Sequence, residues 1–439
     1  MPLPTARCLP YLDTDLPAPA AHQLTPLLSN TLELHWQANG SARLTPTGTE
    51  SLETPMPPEC ARELAYWLHE TLWLNEIGET RHFEEILRLA LAANEKSIAA
   101  EMADALATEA LNTGNYSLAR EYCVRGLSPG EDFALLHTLG LAEAGLGDEK
   151  QAIAHMERAL SLSPATQDDP AQAGETASLM SHLATLHARA GAAFRAYHLL
   201  EKAREHYAQA QNQQGEADTL TQIGLLMATQ HDLRAARQHL EEARALYHNI
   251  GDGVGEASAL RQLARLLEGR NKKEWSKEAE QFSAEALRLL AENAQWEDLS
   301  RLLLKLGQAQ KNRTLLLQSL WIALQIAPRP DLLSNLRASL LMTADDKRLQ
   351  ESPYIAAATL SHIEQAPRDF PRHAEIHRLA IIELISCARE NGVDENHVRT
   401  WMNDLALNPE QGVIQKTLRV IEDTVKKNDW AFDNRLMTG

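Results

Sequence analysis

The sequence predicts an all-α protein assembled from antiparallel helix pairs, and three observations carry that expectation. The stretch GEADTLTQIG at residues 215–224 returns forty residues later as GEASALRQLA at 255–264, with a shorter echo, GETASL, beginning at Gly174. Small residues recur at fixed offsets through the middle of the chain. Aromatic residues make up only 5% of the 439, so Ala and Leu carry the apolar load, which suits closely packed helices.

Residues 1–58 are rich in Pro, Thr and Ser, with one strand-like exception, TLELHWQANGSARLTP. A three-residue loop at Asn39, Gly40 and Ser41 pairs Trp36 with Leu44, whereas a two-residue turn puts Leu44 on the opposite face. The segment reads either as a small hairpin docked on the helices or as an extended arm. The helical array occupies residues 59–330. At its start, ELAYWLHETLWL and HFEEILRLALAA repeat their apolar residues with the helical period and form a capping pair.

The clearest unit is FALLHTLGLAEAGLGDEKQAIAHMERALSLSP, residues 133–164, where Gly140, Gly147, Ala152, Ala159 and Pro164 stand at offsets 0, 7, 12, 19 and 24. The first four offsets return as Ala107, Gly114, Ala119 and Gly126, as Ala184, Gly191, Ala196 and Ala203, and as Gly224, His231, Ala236 and Ala243. A fifth copy starts at Ala264 and takes extra residues in its turn, RNKKEWSKEA, before Ala279 and Ala286 restore the phase. A sixth, Gly307 with Ala323 and Pro328, fits with a shortened turn. Helix axes approach to about 8 Å only where the facing side chains are small, which explains Gly and Ala at these positions.

These offsets resemble those of tetratricopeptide repeats, over residues 97–328. The resemblance implies a right-handed superhelix of antiparallel helix pairs whose first helices line a concave groove. Successive turn positions are separated by 33, 44, 40 and 40 residues, so the later units are longer, similar to the long-helix variety in kinesin light chains and bacterial peptide-sensing regulators. The Gly-Glu-Ala triplets read as starts of first helices, with Gly215 and Gly255 closing the helix before. Tyr207 and Tyr247 then pack the extended second helices. Residues 331–439 lose the repeat phase but keep helical periodicity in PRHAEIHRLAIIELISCAREN, HVRTWMNDLAL and QGVIQKTLRVIEDTVKK, which predicts a C-terminal helical domain.

The formal charge of -18 disfavours direct binding to nucleic acid or to an anionic membrane. No apolar run reaches the roughly 18 residues of a membrane span, and Arg7 with its neighbouring prolines interrupts any leader-like core. Cys8, Cys60, Cys123 and Cys387 lie far apart without a CxxC pair, so neither a disulfide framework nor a cysteine zinc site is expected. Together these readings suggest a cytoplasmic protein.

Phosphate-cradling glycine loops, zinc-protease, nucleophile-elbow and kinase signatures are all missing from the sequence. His373 and His377 share a helix face, but the sequence supplies no third ligand, so no metal and no cofactor are expected. His182, His187, His198 and His206 read as face or packing residues, and Cys123 as a buried thiol. The chain is not expected to be an enzyme.

Groove-facing positions lie three before, two before and one after each small crossing residue. They give Ser181, His182 and Thr185, then Thr221, Gln222 and Leu225, then Arg261, Gln262 and Arg265, with Arg301 and Lys305 continuing the row. The strip turns from polar to basic. It suits an extended peptide or a partner helix, Gln222 and Gln262 reaching backbone amides and the cations reaching acidic residues or a free carboxylate. The competing expectation is that these arginines pair with acidic residues on neighbouring helices. The leading functional expectation is a protein-protein interaction scaffold or adaptor. A peptide-gated regulator working through a change of superhelix pitch, an enzyme with a site in residues 331–439, and a groove filled by the N-terminal arm are the alternatives.

Overall fold

A computed structural model describes residues 3–28, 32–46, 55–163, 169–267 and 277–310, together with 312, 315, 316, 318, 319 and 322. The C-terminal helical domain expected at 331–439, with His373, His377 and Cys387, lies outside the described residues. So do Pro164, Ala323, Pro328 and most of the RNKKEWSKEA turn. The chain divides into two compact units, Met1–Thr219 and Leu220–Gly439.

In the first unit the N-terminal segment is folded. Strands β1 (Asp15–Leu16), β2 (Leu32–Trp36) and β3 (Ala42–Pro46) form an antiparallel sheet in the order β1-β3-β2, with helix α1 (Ala18–Leu24) between β1 and β2. The hairpin register differs from the sequence expectation: Trp36 pairs with Ala42, and Leu44 pairs with Leu34. The loop residues are Ala38, Asn39 and Gly40, because Gly40 takes the left-handed conformation at φ +84° and Ser41 already accepts a 2.8 Å bond from the Gln37 amide. A shift of two residues preserves the face, so Leu44 is buried as expected.

This segment docks on α2 (Pro58–Leu68) and α3 (Thr80–Ala93), which are joined through a π-helical turn at His69–Trp73. Leu9, Leu16 and Leu24 share one core with Leu64, Trp67 and Ile86. Two side chains of α3 hold the arm's backbone: His82 Nε2 lies 2.6 Å from the Asp15 carbonyl, and Arg88 Nη2 donates to the Tyr11 carbonyl at 3.2 Å. Cys8 and Cys60 form a disulfide across 52 residues, contrary to the expectation drawn from cysteine spacing. Spacing alone misled because the arm folds back and brings the two Cα atoms to 4.9 Å. Such bonds persist in oxidising surroundings, so cysteine usage no longer supports a reducing compartment. No described helix is long and apolar enough to cross a membrane.

The helix pairs follow. In the first unit, α4 (Lys96–Asn112) pairs with α5 (Tyr116–Gly126), α6 (Phe133–Leu146) with α7 (Glu149–Leu162), and α8 (Pro170–Arg189) with α9 (Ala193–Gln209). Helix α10 (Gln213–Thr229) runs across the division between the units. The second unit continues with α11 (Leu233–Ile250), then α12 (Gly253–Leu266) packed on α13 (Lys277–Glu292), and α14 (Trp296–Gln310). Helices α8 to α11 have 17 to 20 residues where α6 and α7 have 14, which is the lengthening that the wider turn spacing required.

The recurring small residues sit where helices cross. Ala107, Ala119, Ala152, Ala159, Ala184, Ala196, Ala203, Ala236 and Ala243 are fully buried, and a Cβ on Gly224 would lie 2.7 Å from Leu240 Cγ. The turn positions Gly114, Gly147, Gly191 and His231 all have positive φ. An Asx residue follows three of them and caps the next helix: Asn115 accepts from Leu118 N, Asp148 from Gln151 N, and Asp232 from Ala235 N. Each such cap is worth about 1 kcal/mol.

The Gly-Glu-Ala triplets at 215 and 255 lie in the first turns of α10 and α12, as expected, but their glycines do not close the helices before. Residues 213–229 and 253–266 are already helical at Gly215 and Gly255, and the preceding helices are ended by left-handed Gln211 and Gly251. The two glycines are there because a Cβ would strike the rings of Tyr207 and Tyr247, at 2.5 and 2.3 Å from their Cδ1 atoms. The caps at these starts are Asn212 and Asp252.

Two outcomes follow from this packing. Gly224→Val overfills the contact with Leu240 and lowers unfolding free energy by about 1–3 kcal/mol in chemical denaturation, whereas Gly174→Ala, facing open space, raises it by about 0.5–1 kcal/mol. Cys60→Ser removes a crosslink closing 52 residues, and the first unit loses up to about 4 kcal/mol by the chain-entropy relation, a loss that dithiothreitol reproduces in the parent protein.

Candidate functional site

Helical periodicity places Arg261, Gln262 and Arg265 on one face of α12, and puts Arg301 and Lys305 one turn apart on α14. All five line a single cavity of about 220 Å³ in the second unit. Asp298 and Ser283 complete the part of its wall that matters chemically. Arg261 Nη1 lies 3.3 Å from Asp298 Oδ1, and Arg301 pairs with Glu297 and, at 3.6 Å, with Asp298. Half of the cations are thus paired with carboxylates, but only Arg261 pairs with a neighbouring helix as the competing expectation had it, since both partners of Arg301 lie on its own helix. Arg265 and Lys305 are exposed, and among the described residues neither has an ion-pair partner.

Ser283 enters the cavity from α13. It is 2% exposed, and its Oγ makes no hydrogen bond among the described residues. A buried hydroxyl in that state is uncommon enough to need a reason. Also in the second unit, Thr221 and Gln222 are half-buried on α10. Thr221 Oγ1 lies 3.5 Å from the Tyr247 hydroxyl, and the buried Gln222 Oε1 has no partner among the described residues.

Ser181, His182 and Thr185 belong to the first unit. Ser181 is buried beside Tyr207 rather than exposed, because the long α9 carries that phenol over it. Thr185 spends its hydroxyl on its own helix, donating to the Ser181 carbonyl at 3.0 Å. His182 meets His137 of α6, Nδ1 to Nε2 at 2.9 Å. Burial first, and then the neighbouring imidazole, push His137 down to about 4, and burial also lowers His182. His182 is exposed and His137 half-buried, with their ring centroids 5.1 Å apart.

Another cavity, of about 810 Å³, was not anticipated from the sequence. Trp73 and Phe83, edge to face at 4.9 Å, form one wall, while α4 supplies Glu101, Asp104, Thr108 and Glu109. Asp104 and Thr108 stand three before and one after Ala107, the same offsets that give Arg261 and Arg265 from Ala264. Applying the offsets to this first copy would have found them. Its acids are internally engaged: Glu101 accepts from Trp73 Nε1 at 2.8 Å, and Asp104 from Thr138 Oγ1 at 2.6 Å. Burial raises the Asp104 carboxyl, and the Thr138 hydrogen bond opposes that rise.

Cys123 is a buried free thiol pushed up to about 12, chiefly by burial and then by Asp104, which makes it a packing residue. Among the described residues no cluster of three or more His, Cys, Asp or Glu side chains could hold a metal ion.

Paired helices, small residues at their crossings and left-handed turns with Asx caps define a tetratricopeptide-type helical-repeat fold. A signal-transduction ATPase from Pyrococcus horikoshii with a tetratricopeptide repeat sensor shares it, at 13% identity and TM-score 0.52 over 95% of this chain and 64% of that one. Aspartyl phosphate phosphatase F from Bacillus subtilis matches at 11% identity and TM-score 0.45 over 79% and 87%. The apo form of RapI matches at 11% and 0.43 over 66% and 99%. No protein-family model matches the chain, and no curated protein matches its sequence.

The histidine pair generates a pH dependence. The fold holds both imidazoles neutral to lower pH than the unfolded chain does, whose ordinary value is near 6.5, so the unfolded state binds more protons as pH falls toward about 4. Stability therefore falls over that window, and His137→Gln shrinks the slope when urea unfolding is compared at about pH 7.5 and about pH 5.

Proposed function

We propose that this chain is an interaction scaffold that binds a protein or peptide partner, and that the cavity between α12 and α14 receives acidic residues or a free carboxylate of that partner. The observation that carries the proposal is the convergence of Arg261, Gln262, Arg265, Arg301 and Lys305 on one cavity, with two of its cations unpaired among the described residues. Arg suits the task because its planar fork bonds a carboxylate at two points, and the side-chain amide of Gln262 can satisfy a backbone group of an extended peptide.

The rest of the chain favours the same reading. A basic recess on a protein of formal charge -18 is a local exception, so it selects a compact acidic feature and disfavours a long polyanion such as nucleic acid. Repeats of this kind stack only on their neighbours and spread binding over many modest contacts. Catalysis is not part of the proposal.

Arg265→Glu combined with Lys305→Glu tests it. A tagged parent protein captures its partner from the native host at low and moderate salt. The double variant, with an unchanged melting curve, binds that partner about tenfold or more weakly, as the loss of charged hydrogen bonds predicts. Equal affinity of parent and variant for the same partner rejects the cavity as the site.

A further inference from the structure

Charge balance inside the second-unit cavity says more about what it accepts. Asp298 offsets Arg261, and Glu297 offsets Arg301. Arg265 and Lys305 remain, so the local surplus is two positive charges on a protein whose overall sign is negative.

One carboxylate carries a single charge and is planar, and one guanidinium fork can satisfy it. A phosphoryl group carries about -1.5 to -2 near pH 7 and presents three strong acceptor oxygens. Donors reach this cavity from three helices: Arg265 from α12, Lys305 from α14 and Ser283 from α13. Three converging donors match a tetrahedral anion better than a flat one.

Ser283 places a third side chain against the cavity. The residue lines the cavity and is almost wholly buried, and its Oγ has no hydrogen-bond partner among the described residues. An oxygen entering the cavity would supply that partner. The volume, about 220 Å³, is below the roughly 300–1,000 Å³ of cavities that hold drug-sized ligands, which suits one phosphoryl group on a side chain rather than a nucleotide.

Building on the partner-binding reading, we infer that the cavity receives a phosphorylated side chain of the partner, so that phosphorylation of the partner strengthens association. Immobilised pools of short peptides, randomised around a central phosphoserine, glutamate or serine, provide the probe for the full chain. The phosphoserine pool retains about tenfold more protein than the glutamate pool. Arg265→Gln with Lys305→Gln removes the difference, and Ser283→Ala reduces it.

Inorganic phosphate displaces the protein only at concentrations well above those of the phosphopeptide. Equal retention on the glutamate and phosphoserine pools, lost in the double variant, overturns the phosphoryl inference and leaves the acidic-partner reading standing. Retention that the double variant keeps overturns both, as does no retention on any pool. Inorganic phosphate competing as well as the phosphopeptides assigns the cavity to the free anion and overturns the partner-borne form. The neutral glutamine substitutions avoid buried charge reversal, and a matching melting curve confirms that the variant is folded.

Discussion

The described helix pairs of the repeats cross closely where a Gly or Ala leaves room between them. The clearest case is Gly224, where even a methyl group would press on Leu240, and the buried alanines repeat the same solution along the sequence. Close approach fixes how each helix is rotated about its axis. Once rotation is fixed, the side chains three before, two before and one after the small residue are committed to the neighbouring face. The turns reinforce this, because a left-handed residue followed by an Asx cap ends one helix and starts the next with little slack.

That commitment separates architecture from chemistry. Asp104 and Arg261 hold equivalent places in their repeats, yet one helps to line an acidic, aromatic-walled cavity and the other a basic recess. Neither choice disturbs the helix crossings, since the alanines behind them are unchanged in kind. The same freedom explains why the fold alone says little about partners. The half-buried charges that line the two cavities can be exchanged without altering the crossings, whereas the packing residues behind them tolerate almost no extra volume.

Much of the architecture was legible in the sequence because small residues and turn positions leave a periodic trace. The offsets of Ala107, Gly140, Ala184 and Gly224 identified the crossings, and Gly114, Gly147, Gly191 and His231 identified the turns. What escaped was long-range or stereochemical. Nothing local in Cys8 or Cys60 signals that the arm folds back between them. Gly215 and Gly255 looked like helix stops, but their partners are aromatic rings eight residues earlier, Tyr207 and Tyr247. The hairpin register turned on which residue took positive φ, and Ser181 was covered by a side chain from another helix. For the basic recess, periodicity placed Arg261, Gln262 and Arg265 together. It could not reveal Ser283, which arrives from α13 and matters through an unmet hydrogen bond.

The folded N-terminal segment gives the first unit a direction. A stack of helix pairs ordinarily leaves its terminal pair with an apolar side that another repeat could cover. Here Leu9, Leu16 and Leu24 cover α2 and α3, a disulfide secures them, and His82 and Arg88 occupy carbonyls that would otherwise be open to a stranger. The apolar side of α2 and α3 is thus covered by the chain's own arm. A designer extending the array would have to insert new repeats behind the lid rather than add them in front of it.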